Sequence, residues 1–196
     1  GTGSSRPGNL TAVNGKLYFS ANDGSGEKLW MSDGTANGTN MVPNNNNILL
    51  THDNNKPFTF VNNTLCFKGA APNKGYELCY YTPGSGNVAL LKDLVPGAGN
   101  SNPENITNTN NALYFTATNA AGKQQLWTSN GTPGGTIPLL TATGIASVAL
   151  SDLSGNGATL FFSYKNAANG NELWKTNGTV AGTVLVKDIF TGSFNA

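Results

Sequence analysis

The chain has 196 residues, of which only 11% are charged, with 11 Lys+Arg against 10 Asp+Glu and a formal net charge of +1. Soluble chains average about 25% charged residues, and here 29 Asn, 25 Gly and 22 Thr stand in their place. No basic cluster is present to hold phosphate, no apolar run approaches the ~20 residues of a membrane span, and 9 Phe, 6 Tyr and 3 Trp supply a core; nucleic acid, membrane insertion and a disordered chain are all disfavoured.

In chain order, the first strands are predicted over 9–13, 16–21, 28–32 and 39–43. Asn14-Gly15 joins the first two, a pair that tolerates the positive φ of a tight hairpin. The Asp33-Gly34-Thr35 corner and Gly38-Thr39 precede the fourth strand. The same pattern then returns three times. Leu17-Tyr18-Phe19 recurs as Leu65-Cys66-Phe67, Leu113-Tyr114-Phe115 and Leu160-Phe161-Phe162. Leu29-Trp30 recurs as Leu78-Cys79, Leu126-Trp127 and Leu173-Trp174. The corner recurs as Asn130-Gly131-Thr132 and Asn177-Gly178-Thr179, while the second unit has Pro83-Gly84-Ser85 instead. Gly38, Asn87, Gly135 and Gly182 share one repeat position, read as a left-handed backbone requirement.

A fixed period of about 48 residues defines a repeat protein. The units run over approximately 4–50, 51–98, 99–142 and 143–193, within a single domain of 1–196. No segment carries a helical period, so the chain reads as all-β. Consecutive apolar residues such as Leu17, Tyr18 and Phe19 imply strands buried on both faces. Four short antiparallel strands per unit, stacked face to face, describe a four-bladed β-propeller; a linear solenoid is the alternative.

Cys66 and Cys79 occupy the places that aromatic residues hold in other units, Tyr18 and Trp30 for example. Paired across a hairpin, they would form a disulfide, which points to an oxidising extracellular compartment; two small buried thiols are the alternative. No second cysteine pair exists and His52 is the only histidine, so no metal-site pattern emerges.

Glu172-Leu173-Trp174-Lys175-Thr176-Asn177-Gly178-Thr179, followed by Gly182-Thr183-Val184-Leu185-Val186-Lys187-Asp188-Ile189, resembles the ELWxxDGT repeat of large secreted bacterial surface proteins. Leu29-Trp30-Met31-Ser32-Asp33-Gly34-Thr35 and Leu90-Leu91-Lys92-Asp93-Leu94 resemble it as well. The second unit lacks the Trp and the DGT corner, and Gln125 replaces the Glu in the third. The resemblance spans essentially the whole chain. It implies secretion and a propeller-like fold, and it implies no reaction.

Nothing in the residues assembles an acid, base and nucleophile, so the chain is expected not to be an enzyme and to need no cofactor. His52 lies in a polar stretch expected to connect the first two units. Asp93 and Asp188 share a repeat position after Lys92 and Lys187, and a structural role is expected for both. Asn22–Glu27 offers Asp23 and Glu27 as weak calcium candidates, because a hard cation takes oxygen ligands from a Gly-rich loop; the matching loops lack acids, which favours a plain hairpin. Trp30, Trp127 and Trp174 are candidate carbohydrate platforms, although their fixed place opposite an aromatic favours packing between blades. Sequons at Asn9, Asn37, Asn62, Asn105, Asn130 and Asn177 admit glycosylation.

Two functions are compatible with this reading. The first is an extracellular or cell-surface, non-catalytic repeat protein for adhesion, binding neutral glycans or a cell-surface protein through its loops. The second is a self-assembling structural subunit of a filament or surface layer, a homo-oligomer or head-to-tail polymer. Read tail to head, the termini continue the repeat in register, and the Gly start reads as a processed mature N-terminus. Sparse charge favours association.

Overall fold

The computed structural model describes residues 3–51, 58–84, 86–140 and 150–191. Among them there is no helix, only strands joined by turns. The chain divides into two compact units, Gly1–Asn102 and Pro103–Ala196, each with two blades. Blade 1 is β1 (Gly8–Val13), β2 (Lys16–Asn22), β3 (Glu27–Ser32) and β4 (Asn40–Met41), side by side in chain order. Blade 3 repeats this order with β10 (Glu104–Thr109), β11 (Ala112–Thr118), β12 (Gln124–Ser129) and β13 (Ile137–Pro138). So does blade 4, with β14 (Leu150–Asn156), β15 (Thr159–Asn166), β16 (Gly170–Thr176) and β17 (Val184–Lys187).

Blade 2 differs in its first strand, which is split into β5 (Leu49–Leu50) and β6 (Thr59–Val61), both paired with β7 (Thr64–Ala71). β8 (Gly75–Tyr81) and β9 (Ala89–Lys92) complete it. In the other blades a bulge stands at the matching place. Its extra residue is left-handed: Asn9 (φ 57°), Asn105 (φ 53°) and Asp152 (φ 57°). Asn and Asp are the side chains that accept this region most readily. His52 falls between β5 and β6, outside the described residues.

The first hairpins close as their sequences predict. Asn14 (φ 50°) and Gly15 (φ 73°), Asn62 and Asn63 (45° and 60°), and Asn110 and Asn111 (50° and 57°) all take positive φ. Two positive-φ residues in a two-residue loop match the twist of the flanking strands.

The central hairpins correct one expectation. Tyr18 faces Met31, and it is Phe19 that faces Trp30. In blade 2 Cys66 therefore faces Tyr80 while Cys79 faces Phe67. A one-residue slip sends a side chain to the opposite face of a sheet, so the two sulfurs cannot meet. Both cysteines are free and buried, the smaller-thiol alternative. Burial pushes the Cys66 thiol up to about 12 and raises that of Cys79 as well.

Each unit is held by one blade laid on the next. In each central hairpin one face, here termed face A, carries Leu17, Phe19 and Trp30 or their equivalents; face B carries Tyr18 and Leu29 or theirs. In the first unit, Tyr18 and Leu29 of blade 1 share a buried cluster with Leu65, Phe67, Cys79 and Tyr81 of blade 2. Val42, Ile48, Leu50 and Phe58, from the connector and the split strand, complete it. Phe58 is tied back to blade 1 by its N–H, which donates to Thr11 Oγ1 at 2.7 Å. In the second unit, Tyr114 and Leu126 of blade 3 share a cluster with Leu160, Phe162 and Tyr164 of blade 4. Face B of one blade thus covers face A of the next.

Burial on both faces, expected for all four blades, holds for two. Leu113, Tyr114, Phe115 and Thr116 are buried in succession in β11, and Thr64 to Phe67 in β7. In β16 burial alternates instead, with Glu172 and Thr176 inside and Asn171, Leu173 and Lys175 exposed. In blade 1, Leu17, Phe19 and Trp30 are only half-buried.

Candidate functional site

Three corners share one hydrogen-bond pattern. Asp33 Oδ1 accepts from Thr35 N–H (2.9 Å) and Thr35 Oγ1 (2.7 Å), and Thr35 Oγ1 accepts from Gly38 N–H (2.9 Å). Ser32 Oγ and Thr39 Oγ1 lie 2.7 Å apart, and Thr39 Oγ1 donates to the Thr35 carbonyl at 2.6 Å. Asn130, Thr132, Gly135, Ser129 and Thr136 repeat the pattern in blade 3. Asn177, Thr179, Gly182, Thr176 and Thr183 repeat it in blade 4. The motif is a self-satisfied turn of the kind short Asx and hydroxyl side chains build.

The left-handed residue of this corner is the Gly of the DGT triplet, Gly34 (φ 93°), Gly131 (φ 88°) or Gly178 (φ 89°). Gly38, Gly135 and Gly182 were expected to be left-handed and are not. They are glycine for a steric reason: a Cβ there would fall inside the side chain of Asp33, Asn130 or Asn177.

The second unit carries a cleft of about 250 Å³ between the corners of blades 3 and 4. Asn110, Thr128, Ser129, Asn130 and Asn177 give it amides and hydroxyls, and Tyr114, Ala158 and Ile137 give it apolar surface. No charged side chain lines it. Tyr114 is buried, and burial raises its phenol pKa.

The tryptophans sit in the blade packing. Trp127 is 7% exposed and stacks on Phe115, with centroids 6.3 Å apart at 16°. Trp174 meets Tyr164 edge-on at 5.1 Å. Trp30 donates from Nε1 to the Ala21 carbonyl at 3.2 Å and is half-buried. None of the three lines the cleft.

The Asn22–Glu27 loop satisfies its own acid. Asp23 Oδ1 accepts from Ser25 N–H (2.9 Å) and Ser25 Oγ (2.6 Å), and Lys28 Nζ lies 3.3 Å from Asp23 Oδ2. The Ser25 hydrogen bonds, with smaller help from Lys28, hold the Asp23 carboxyl at about 2. The cation beside Asp23 is thus a lysine of the chain itself. Among the described residues no group of three or more His, Cys, Asp or Glu side chains is placed to hold a metal ion.

A role that sequence reasoning missed belongs to Glu77, before Leu78-Cys79, and to Glu172, before Leu173-Trp174. Glu77 is fully buried, and its carboxylate accepts from Leu94 N–H (3.0 Å), Ser101 N–H (3.0 Å) and Ser101 Oγ (2.6 Å). Glu172 accepts in the same way from Ile189 N–H (3.1 Å) and Phe190 N–H (3.4 Å). Each carboxylate ties its third strand to the turn after its fourth. Burial raises the Glu77 pKa, against a smaller opposing pull from these hydrogen bonds. Asp93 pairs with Lys74 at 2.9 Å, and Asp188 accepts from Asn169 Nδ2 at 3.1 Å. Both acids brace turns, and the partner of Asp93 is Lys74, not the adjacent Lys92.

Of the sequon asparagines, Asn9 is buried, and the other five are exposed. Asn130 and Asn177 spend their side-chain oxygens inside the corner.

Comparison by sequence finds no matching family model and no matching curated protein. Comparison by structure finds β-propellers. The β-propeller domain of the Trilobed protease from Pyrococcus furiosus superposes with a TM-score of 0.59 at 12% identity, over 93% of this chain and 53% of that one. A putative TolB from Agrobacterium tumefaciens gives 0.52 at 10%, over 84% and 59%. The acylaminoacyl peptidase of Pyrococcus horikoshii gives 0.55 at 12%, over 92% and 27%. The fold is all-β and of the β-propeller class, with four blades. The chain spans about three-fifths, about half and about a quarter of the TolB, Trilobed protease and acylaminoacyl peptidase chains, respectively.

Proposed function

We propose that this chain is a secreted, non-catalytic β-propeller module that binds neutral glycans in the cleft between the corners of blades 3 and 4. The observation that carries the reading is the lining: amides, hydroxyls and a tyrosine, with no charged group. Such a surface matches the hydroxyls and weakly apolar faces of a sugar ring and offers nothing to an anion or a cation. A volume of 250 Å³ lies just below the usual ~300–1,000 Å³ of small-molecule sites, room for about one ring. The resemblance to ELWxxDGT repeats of secreted surface proteins supports an extracellular setting, and the near-neutral chain is consistent with an uncharged ligand.

Titration calorimetry against neutral oligosaccharides tests it. The expected affinity is weak, around millimolar or about −4 kcal/mol, and unchanged by added salt because no charge is screened. Ala158→Trp, an exposed turn position on the cleft wall, fills the cleft and removes the signal. Absence of heat at millimolar ligand, or binding that survives Ala158→Trp, overturns the proposal.

A further inference from the structure

The corner triplet opens with an acid in blade 1, Asp33, and with an amide in blades 3 and 4, Asn130 and Asn177. One oxygen builds the turn in all three. Oδ1 accepts from the N–H and Oγ1 of the Thr two residues on, at 2.9 and 2.7 Å for Asp33, 3.1 and 2.7 Å for Asn130, and 3.1 and 2.8 Å for Asn177. A carboxylate thus makes this corner as well as an amide does, and the turn itself has no need of a nitrogen. An amide nitrogen donates and cannot accept, so the Thr N–H fixes which way each Asn amide lies: Oδ1 turns into the corner and Nδ2 turns out of it. Among the described residues, nothing accepts from Asn177 Nδ2. Asn130 and Asn177 both line the cleft. What blades 3 and 4 have there, and blade 1 lacks at its own corner, is an uncharged N–H donor. Ala112, Ile137 and Ala158 lie in the same lining and offer only apolar surface, and Tyr114 adds a phenol oxygen able to accept.

We infer, resting on the glycan reading of this cleft, that the sugar it takes carries an acetamido group, an N-acetylhexosamine whose carbonyl oxygen accepts from Asn177 Nδ2. A sugar hydroxyl both donates and accepts, and so fits almost any polar wall. A carbonyl only accepts and needs a donor. Asn177 supplies one that cannot turn about to present its oxygen, because that oxygen is held by Thr179. The acetamido methyl finds Ala112, Ile137 and Ala158, surface that a hydroxyl in its place leaves unused. Sugars bearing carboxylate or sulfate are disfavoured, since no cation in the lining would repay the loss of their hydration.

Titration calorimetry of the 196-residue chain with N-acetylglucosamine and with glucose, which differ at one ring substituent, tests it. N-acetylglucosamine should bind about fivefold to tenfold tighter, the worth of one hydrogen bond and one buried methyl. Asn177→Asp exchanges the donor for an oxygen, and the Asp33 corner shows that the turn accepts the change. With the melting temperature of this variant preserved, its affinity ratio for the two sugars should fall to about one. Equal affinities of the original chain for both sugars overturn the inference and leave the glycan reading standing. No heat from either sugar or from any neutral oligosaccharide overturns both. A preference that persists in folded Asn177→Asp also overturns the inference. So does N-acetylglycinamide binding as tightly as N-acetylglucosamine, which would make the ligand an amide without a sugar.

Discussion

β12 and β16 carry almost the same residues and lie in different surroundings. Gln125-Leu126-Trp127-Thr128-Ser129 is buried throughout, while in Glu172-Leu173-Trp174-Lys175-Thr176 burial alternates. Both strands are equally well made, each paired on two sides. The repeat therefore builds the sheet and its corner, and the cover on each face is a separate matter. Where both faces are covered, every residue of the strand is part of a core; where one face is open, every second residue meets water.

The largest effect expected from this contrast comes from one substitution made at equivalent positions. Leu126→Ala removes a fully buried side chain and should cost about 2–5 kcal/mol in urea unfolding, whereas Leu173→Ala should cost less than ~1 kcal/mol. Equal costs would erase the distinction between the blades.

The corners should not share in the contrast, because their hydrogen bonds are the same in blades 3 and 4. Gly135→Ala and Gly182→Ala each force a Cβ into the Asx side chain and should each cost about 1–3 kcal/mol. A large difference between them in thermal unfolding would show that the corner depends on the blade around it.

The acid before Leu78 sharpens the comparison through pH. Glu77 holds its proton more tightly folded than unfolded, since burial raises its pKa. Folding then takes up a proton, and this part of the stability is full below the ordinary glutamate value and is lost as pH rises from there through the folded value. Glu77→Gln should flatten that decline in a melting-temperature series. A wild-type curve that climbs through this window, with Gln removing the climb, would contradict the buried-acid description.

The smallest effect concerns the cysteines. With Cys66 and Cys79 on opposite faces of their hairpin, a reductant should leave the melting temperature unmoved. Thiol reagents should label both only after denaturation, because burial holds both thiols protonated. A mass two daltons short under native conditions would reinstate the bond.

What the sequence disclosed and what it withheld divide along a physical line. The repeat, the strands and the Asn-rich hairpins depend on local preference, and each is present where local preference puts it. The pairing of Cys66 with Cys79 needed the register of β7 and β8, which is set by the turn at Pro72–Lys74 and not by counting between landmarks; one residue of error exchanged the faces. Gly38 and its equivalents were placed correctly but for the wrong cause, since steric crowding by a side chain five residues back leaves the same mark as a left-handed backbone. The role of Glu77 and Glu172 left a signal that went unread: both precede Leu at the same repeat position, in the two units that also carry Lys-Asp after the fourth strand. The cleft was not legible at all, because it is assembled from turns about 20 to 70 residues apart.

The central claim is that equivalent positions in the four blades differ in cover. Acrylamide quenching of variants that each keep one tryptophan, at the lowest concentration fluorescence allows, tests it most directly. Trp127 should be quenched several-fold less than Trp30, its equivalent on the open face of blade 1. Equal protection of the two indoles in dilute solution would contradict the account.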